Sequence, residues 1–399
     1  MSTLPAPKNR TELIALLTEA CELEHGLACS YLYTAFSLKQ RTAEAGLNVD
    51  QCRKVRFWAS QIFFIASQEM MHLAQAWNLL IAIGGTPHCL RPNLPQGTRY
   101  YPLRASIALE PFSENVLKRF IVYETPHEAE VQWVRQGASF TAAEATRGHV
   151  TIGELYGAIE HGFRYIANLI QENSENQIDH RRAQFYDIVR VTSVHSAIQA
   201  IGNIVHQGEG AVVDRLDCHY GMFISILNEY RQLRDTAGPE FQPVRPVMSN
   251  PVAESLDGYG AAAHPIKNPL TRRCAELFDE IYLLMLQSLA SGFSHAMDAE
   301  RATKIVRTAI EVMVTTIRPL GDALCCMPAD VNGLNGGPGF GITRFNALPA
   351  DLSRAVDRIV SRLGELANEA DALAAELPSM AQIASVAGRL NETAARLSN

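Results

Sequence analysis

Along nearly the whole chain, apolar residues return on the 3.6-residue period of an α-helix. Thr11 is placed to cap a first helix over about 13–40, whose small residues from Gly26 to Ser30 let another helix approach. A second helix is expected over about 51–83, stopped by Gly84-Gly85-Thr86-Pro87. Residues 88–112 hold several prolines and short apolar runs, which suits a loop or a crossover. Further helices are expected over about 113–124, 151–172, 185–207 and 217–237. Residues 241–269 are polar and broken by Pro243, Pro246, Pro251, Pro265 and Pro269, so they read as a linker or a surface excursion. Beyond them lie helices over 270–297, 301–323, 350–377 and 379–397, the last two with weak apolar faces suited to covering a core built elsewhere. The fold class is therefore all-α. It comprises a four-helix bundle with a long crossover over 11–240, a Pro-rich linker over 241–269, and a C-terminal helical region over 270–399 packed on the bundle.

Composition then removes several function classes. The 399 residues suffice for one large domain or two ordinary ones. A formal net charge of −7 argues against non-specific nucleic-acid binding, which needs a basic face. No uninterrupted apolar run of membrane-spanning length occurs, and Met1–Lys8 lacks a signal-peptide core, so a soluble cytoplasmic protein is expected. None of the eight cysteines forms a C-x-x-C pair, so buried free thiols are expected rather than a zinc or thioredoxin-like site. The glycine-rich run Asn332–Gly341 lacks the Lys-Ser/Thr ending of a P-loop and reads as a structural turn.

Candidate chemistry centres on Glu69 and His72 in the second helix. Three residues apart, they lie about 60° apart around the helix and one turn along it, so both reach one ion. Their flanks are apolar from Phe63 to Ile83, where a charge needs a partner such as a metal. Glu-x-x-His on a bundle helix is half of the di-iron carboxylate pattern, which also needs carboxylates on the neighbouring helices. Glu24 shares a stripe with Ala28 and Tyr31; by itself it fits a surface residue as well as a ligand. Glu154 offers a further carboxylate, with His161 two turns on and Glu160 about 120° away around the helix. His206 and Glu209 form a second imidazole–carboxylate pair in reversed order, although His206 also suits a helix-end cation. In a continuous helix His219 would lie about 15 Å beyond Glu209, and a break at Gly210 would fold it back; the alternative is a hydrogen-bonded core histidine. No base is placed by motif beside any serine or cysteine, so no nucleophilic triad is supported.

The chain resembles the ferritin-like family named after iminophenylpyruvate dimer synthase, from bisindole pigment pathways. The similarity runs through Leu23-Glu24-His25, Tyr31-Leu32-Tyr33 and Phe36-Ser37-Leu38, then Glu69-Met70-Met71-His72-Leu73 and Ile83-Gly84-Gly85-Thr86-Pro87. It continues in Ile152-Gly153-Glu154-Leu155-Tyr156, Gln207-Gly208-Glu209-Gly210 and His219-Tyr220, with Arg318-Pro319-Leu320 and Gly337-Pro338-Gly339-Phe340 near the C-terminus. The resemblance implies a di-iron-type bundle with Glu24, Glu69, His72, Glu154 and Glu209 at the matching positions. The family more usually has a carboxylate where His206 stands.

These readings together lead to the expectation of a non-haem di-metal oxidoreductase. Two iron ions, with manganese as the alternative, would use dioxygen or peroxide on a small substrate derived from an aromatic amino or imino acid. Glu69 and His72 would hold one ion, His206 and Glu209 the other, with Glu24 and Glu154 terminal or bridging. A small-molecule substrate is the expected partner, and a homodimer is compatible with the sequence. The alternatives are a metal-binding or storage-type bundle, or a metal-free structural helical protein.

Overall fold

A computed structural model describes residues 4–96, 107–125, 151–171, 176–180, 187–208, 217–253, 262–294, 299–342 and 344–398. Helix α1, Arg10–Phe36, starts one turn earlier than expected because Asn9, not Thr11, caps it: the Asn9 side chain accepts from the Glu12 amide at 3.0 Å. Helix α2, Val49–Ala82, opens on a capping box between Asn48 and Gln51. It closes where Gly84 turns left-handed (φ +85°) and the Gly85 amide donates to the Leu80 carbonyl at 2.8 Å. These two helices pack against each other along the bundle, while α3 (Glu114–Tyr123) pairs with α6 (His219–Ala237). Helices α4 (Ile152–Tyr165) and α5 (Val194–Gly208) pack together beside α1 and α2.

Two expected helices are shorter than their apolar periodicity suggested. Helix α4 ends at Tyr165 rather than near 172: Asn168 has φ +52°, and Arg10 donates to the Asn168 and Leu169 carbonyls. Before α5, residues 187–193 run without helix, because buried side-chain amides take their backbone bonds. Gln75 exchanges two hydrogen bonds with Val189, at 2.7 and 2.9 Å, and Gln177 does the same with Val191.

The C-terminal region consists of α7 (Pro269–Ser294), α8 (Ala299–Val312), a π-turn over Met313–Ile317, α9 (Arg318–Leu324), α10 (Leu352–Glu376) and α11 (Ala381–Ser398). The helix expected over 301–323 is thus interrupted, and the cause is Pro319, which lacks an amide proton and crowds the preceding turn. Strands β1 (Pro251–Val252) and β2 (His264–Pro265) pair in parallel, and β3 (Pro328–Val331) and β4 (Leu334–Asn335) form an antiparallel hairpin.

Residues 241–253 of this stretch thread between bundle and C-terminal region, whereas His264, Pro265 and Pro269 are exposed, as the prolines suggested. Arg245 is buried and ion-paired to both Glu44 and Asp322, and Asn250 exchanges hydrogen bonds with the Leu109 backbone. Tyr33 of α1 donates to the Met248 carbonyl, and Gly321 of α9 lies so close to Phe36 that an added Cβ would meet the ring at 2.6 Å. His25 of α1 bonds the Tyr282 hydroxyl of α7. Among the described residues, no helix is long and apolar enough to cross a membrane, and every cysteine is a free thiol.

Candidate metal centre

Five ionisable side chains meet inside the bundle, none more than 2% exposed: Glu24 of α1, Glu69 and His72 of α2, Glu124 just past α3, and His219, the first residue of α6. Their ligating atoms form two groups with one member in common, Glu24–Glu69–His72 and Glu69–Glu124–His219. Glu69 lies between two imidazoles. Its Oε2 is 3.0 Å from His72 Nδ1, and its Oε1 is 2.8 Å from His219 Nδ1. Glu24 Oε2 stands 3.6 Å from His72 Nδ1, and Glu124 Oε2 stands 3.6 Å from His219 Nδ1. The imidazole centroids are 5.5 Å apart.

The four groups around Glu69 have matching outer partners in the two halves. Tyr156 donates to Glu24 Oε1 at 2.6 Å, and Tyr31 donates to Glu124 Oε1 at 2.5 Å. His72 Nε2 lies 3.1 Å from Gln207 Oε1, and His219 Nε2 lies 3.1 Å from Gln68 Oε1. An amide oxygen only accepts, so each Nε2 carries a proton and each Nδ1 faces the carboxylates.

Burying so many ionisable groups shifts their proton affinities in opposed directions. Burial, then the Glu69 charge, pushes Glu24 up to about 8. Burial also acts to raise Glu69, but the His219 and His72 imidazoles outweigh it and hold its carboxyl well below the usual range. Burial opposes the charging of both histidines, yet Glu69 and Glu124 raise His219 to about 9, and Glu69 and Glu24 lift His72 well above its ordinary value. These buried carboxylates therefore require positive charge beside them, which protons on the imidazoles can supply.

A metal ion would supply the same charge, and the residues fit one. Glu69 Oε1 and His219 Nδ1 are buried, 2.8 Å apart, and out of line for a hydrogen bond with each other or with another group. Three carboxylates and two imidazoles form an oxygen–nitrogen donor set suited to iron or manganese.

Of the residues singled out from sequence, Glu24, Glu69 and His72 come together. Glu154 does not reach them: half-buried, it closes a capping box with Thr151 at the start of α4, its carboxylate accepting from the Thr151 amide at 3.0 Å. His206 is exposed, because Ala197, Ala200, Ile201 and Ile204 place the buried face of α5 on the opposite side; its neighbour Gln207 is the residue that reaches the centre. Glu160 pairs with Arg164 on the surface, and exposed His161 lies against Tyr165 with the rings tilted by 40°. Glu209 lies outside the described residues.

Glu124 was not among the candidates, and His219 was left undecided. Glu124 had a signal: it continues the buried stripe of Val116, Leu117, Phe120 and Ile121. The close approach of Gly208 to Glu124 Oε2, 3.1 Å from where a Cβ would sit, joins the end of α5 to the same site.

The chain is similar to known proteins over most of its length. The chain is 28% identical to the dichlorochromopyrrolate synthase of Lentzea aerocolonigenes over 87% of its own length and 37% of that protein's. It is 25% identical to the 2-imino-3-(indol-3-yl)propanoate dimerase of Chromobacterium violaceum over 83% of this chain and 34% of the relative. The chain thus spans about a third of the length of both curated relatives. A crystal structure of a ferritin-like protein from Caulobacter vibrioides superposes with a TM-score of 0.50 at 17% identity, covering 84% of this chain and all of that one. Residues 17–228, which hold all five clustered side chains, match the Ferritin-like family, and the chain belongs to it.

Proposed function

We propose that the centre binds two metal ions and serves an oxidative reaction, driven by dioxygen or peroxide, on a small substrate derived from an aromatic imino acid. The observation that carries this reading is the pair of buried His–carboxylate groups sharing Glu69. Glu24, Glu69 and His72 would hold one ion; Glu69, Glu124 and His219 the other. Iron is the expected metal, with manganese as the alternative, and when bound it supplies redox equivalents and Lewis acidity. The names of the two relatives support the substrate class, one a synthase and the other an imino-acid dimerase. Coupling two such molecules removes two electrons and two protons, which peroxide takes up as it becomes two waters.

The protein's own part is to position and to exclude. Gln68 and Gln207 fix the imidazole tautomers, so that both Nδ1 atoms face the carboxylates. Burial of all five side chains keeps bulk water from reactive oxygen species.

The test is anaerobic Fe(II) loading followed by dioxygen or peroxide, with and without an indole-type imino acid. An absorption change on oxidation together with coupled product supports the proposal. Two bound irons that oxidise without consuming any aromatic imino acid would leave a metal-binding bundle instead.

A further inference from the structure

We infer that Tyr31 and Tyr156 are positioning residues that confine Glu124 and Glu24 to one-oxygen ligation, giving two matching ion positions that, among the described residues, each keep room for an exogenous ligand. This rests on the two-metal reading and adds to it how each ion is held. The two halves match atom for atom. In each, a phenol takes Oε1 of the terminal carboxylate, and Oε2 alone faces the imidazole Nδ1 at 3.6 Å. Glu69 gives one oxygen to each half. The match does not arise from a repeat, since one half uses Tyr156 of α4 with Glu24 of α1, and the other uses Tyr31 of α1 with Glu124 after α3.

A carboxylate chelates an ion only when both oxygens turn toward it. The phenol–Oε1 bond holds one oxygen away, and charge-assisted bonds of this length are among the stronger kinds. Both rings are fully buried, and Tyr31 is wedged edge-on between Phe120 and Phe223, with centroids at 4.6 and 5.1 Å, so it cannot easily follow a rotating carboxylate. Among the described residues each ion position therefore has three donor atoms, fewer than the six of an octahedral site.

The experiment loads metal-free protein with Co(II) and titrates azide, following the Co(II) visible bands in wild type, Y31F, Y156F and the double variant. The inference expects two Co(II) per wild-type chain, both responsive to azide. In each single variant the freed oxygen chelates one ion, so half of the band intensity changes and azide binds that ion about tenfold more weakly, on the scale of outer-shell effects. The double variant changes both halves. Unchanged bands and azide affinity in variants holding two Co(II) overturn the inference and leave the two-metal reading standing. A lowered melting temperature of the metal-free variants, with the same bands and azide response, makes the phenols packing groups and also overturns it. A wild type that takes up no Co(II) removes both. Should neither variant fold, X-ray absorption on Co(II)-loaded wild type decides, since a chelating carboxylate carbon lies nearer the ion; chelating carboxylates there refute the inference.

Discussion

Replacing Glu69 with Gln keeps the side chain's shape and removes the one carboxylate that both histidines share. Its two oxygens lie 2.8 and 3.0 Å from the imidazoles. Against the opposing effect of burial, Glu69 and then Glu124 raise His219 from 6.5 to about 9. A rise of that size is worth on the order of 3 kcal/mol. The cost agrees with the about 3–5 kcal/mol lost when one partner of a buried ion pair is removed. His219 binds its proton more tightly in the folded state, so this stabilisation is fully present below pH 6.5 and is lost as pH rises through 9. E69Q should therefore lose about 3 kcal/mol against urea at pH 6, and the gap from wild type should narrow toward pH 9. With metal, E69Q should lose both ions, whereas H72A or H219A should each lose chiefly one. An E69Q variant within about 1 kcal/mol of wild type at pH 6 that still binds two ions would refute the shared-carboxylate geometry.

Other consequences follow from the same contacts. Metal-free wild type should become less stable as pH rises, because the folded state holds protons that the unfolded chain releases. Glu24 contributes between about 4.5 and 8, and His219 between 6.5 and about 9; urea titrations across this range measure the fall, which metal loading should abolish by displacing those protons. Gln68→Leu and Gln207→Leu should each weaken one ion by about 10–100-fold, read by competition with a chromophoric chelator, while the other ion stays near wild type. Arg245→Ala removes the buried cation between Glu44 and Asp322, leaving Arg41 beside both, and should cost about 1–3 kcal/mol in denaturation without changing metal stoichiometry.

What was legible in the sequence was what helix geometry alone determines. Glu69 and His72 are tied by a three-residue spacing that survives any tertiary arrangement, and Glu24 lies on a stripe with Tyr31. The same local logic misled where a shorter-range bond competed. Thr151-x-x-Glu154 is a capping box, and the helix terminus satisfied that carboxylate before any metal could. His206 was chosen for its chemistry, yet a count from Ala197 through Ile204 turns it outward and Gln207 toward the site. Glu124 extends the buried stripe of α3, but it and His219 stand at helix ends, where the path of the intervening chain decides what meets. The first part of the proline-rich run was less legible, because prolines mark a break in regular structure and not exposure: Arg245 is buried there between two carboxylates, whereas Pro265 and Pro269 are exposed.

The most direct test of the central claim is the metal content of the protein purified from iron-supplemented cells, measured beside E69Q. The account predicts about two ions per wild-type chain and close to none in E69Q. Wild-type protein that holds no ion, and whose melting temperature does not move on adding Fe(II), would contradict it.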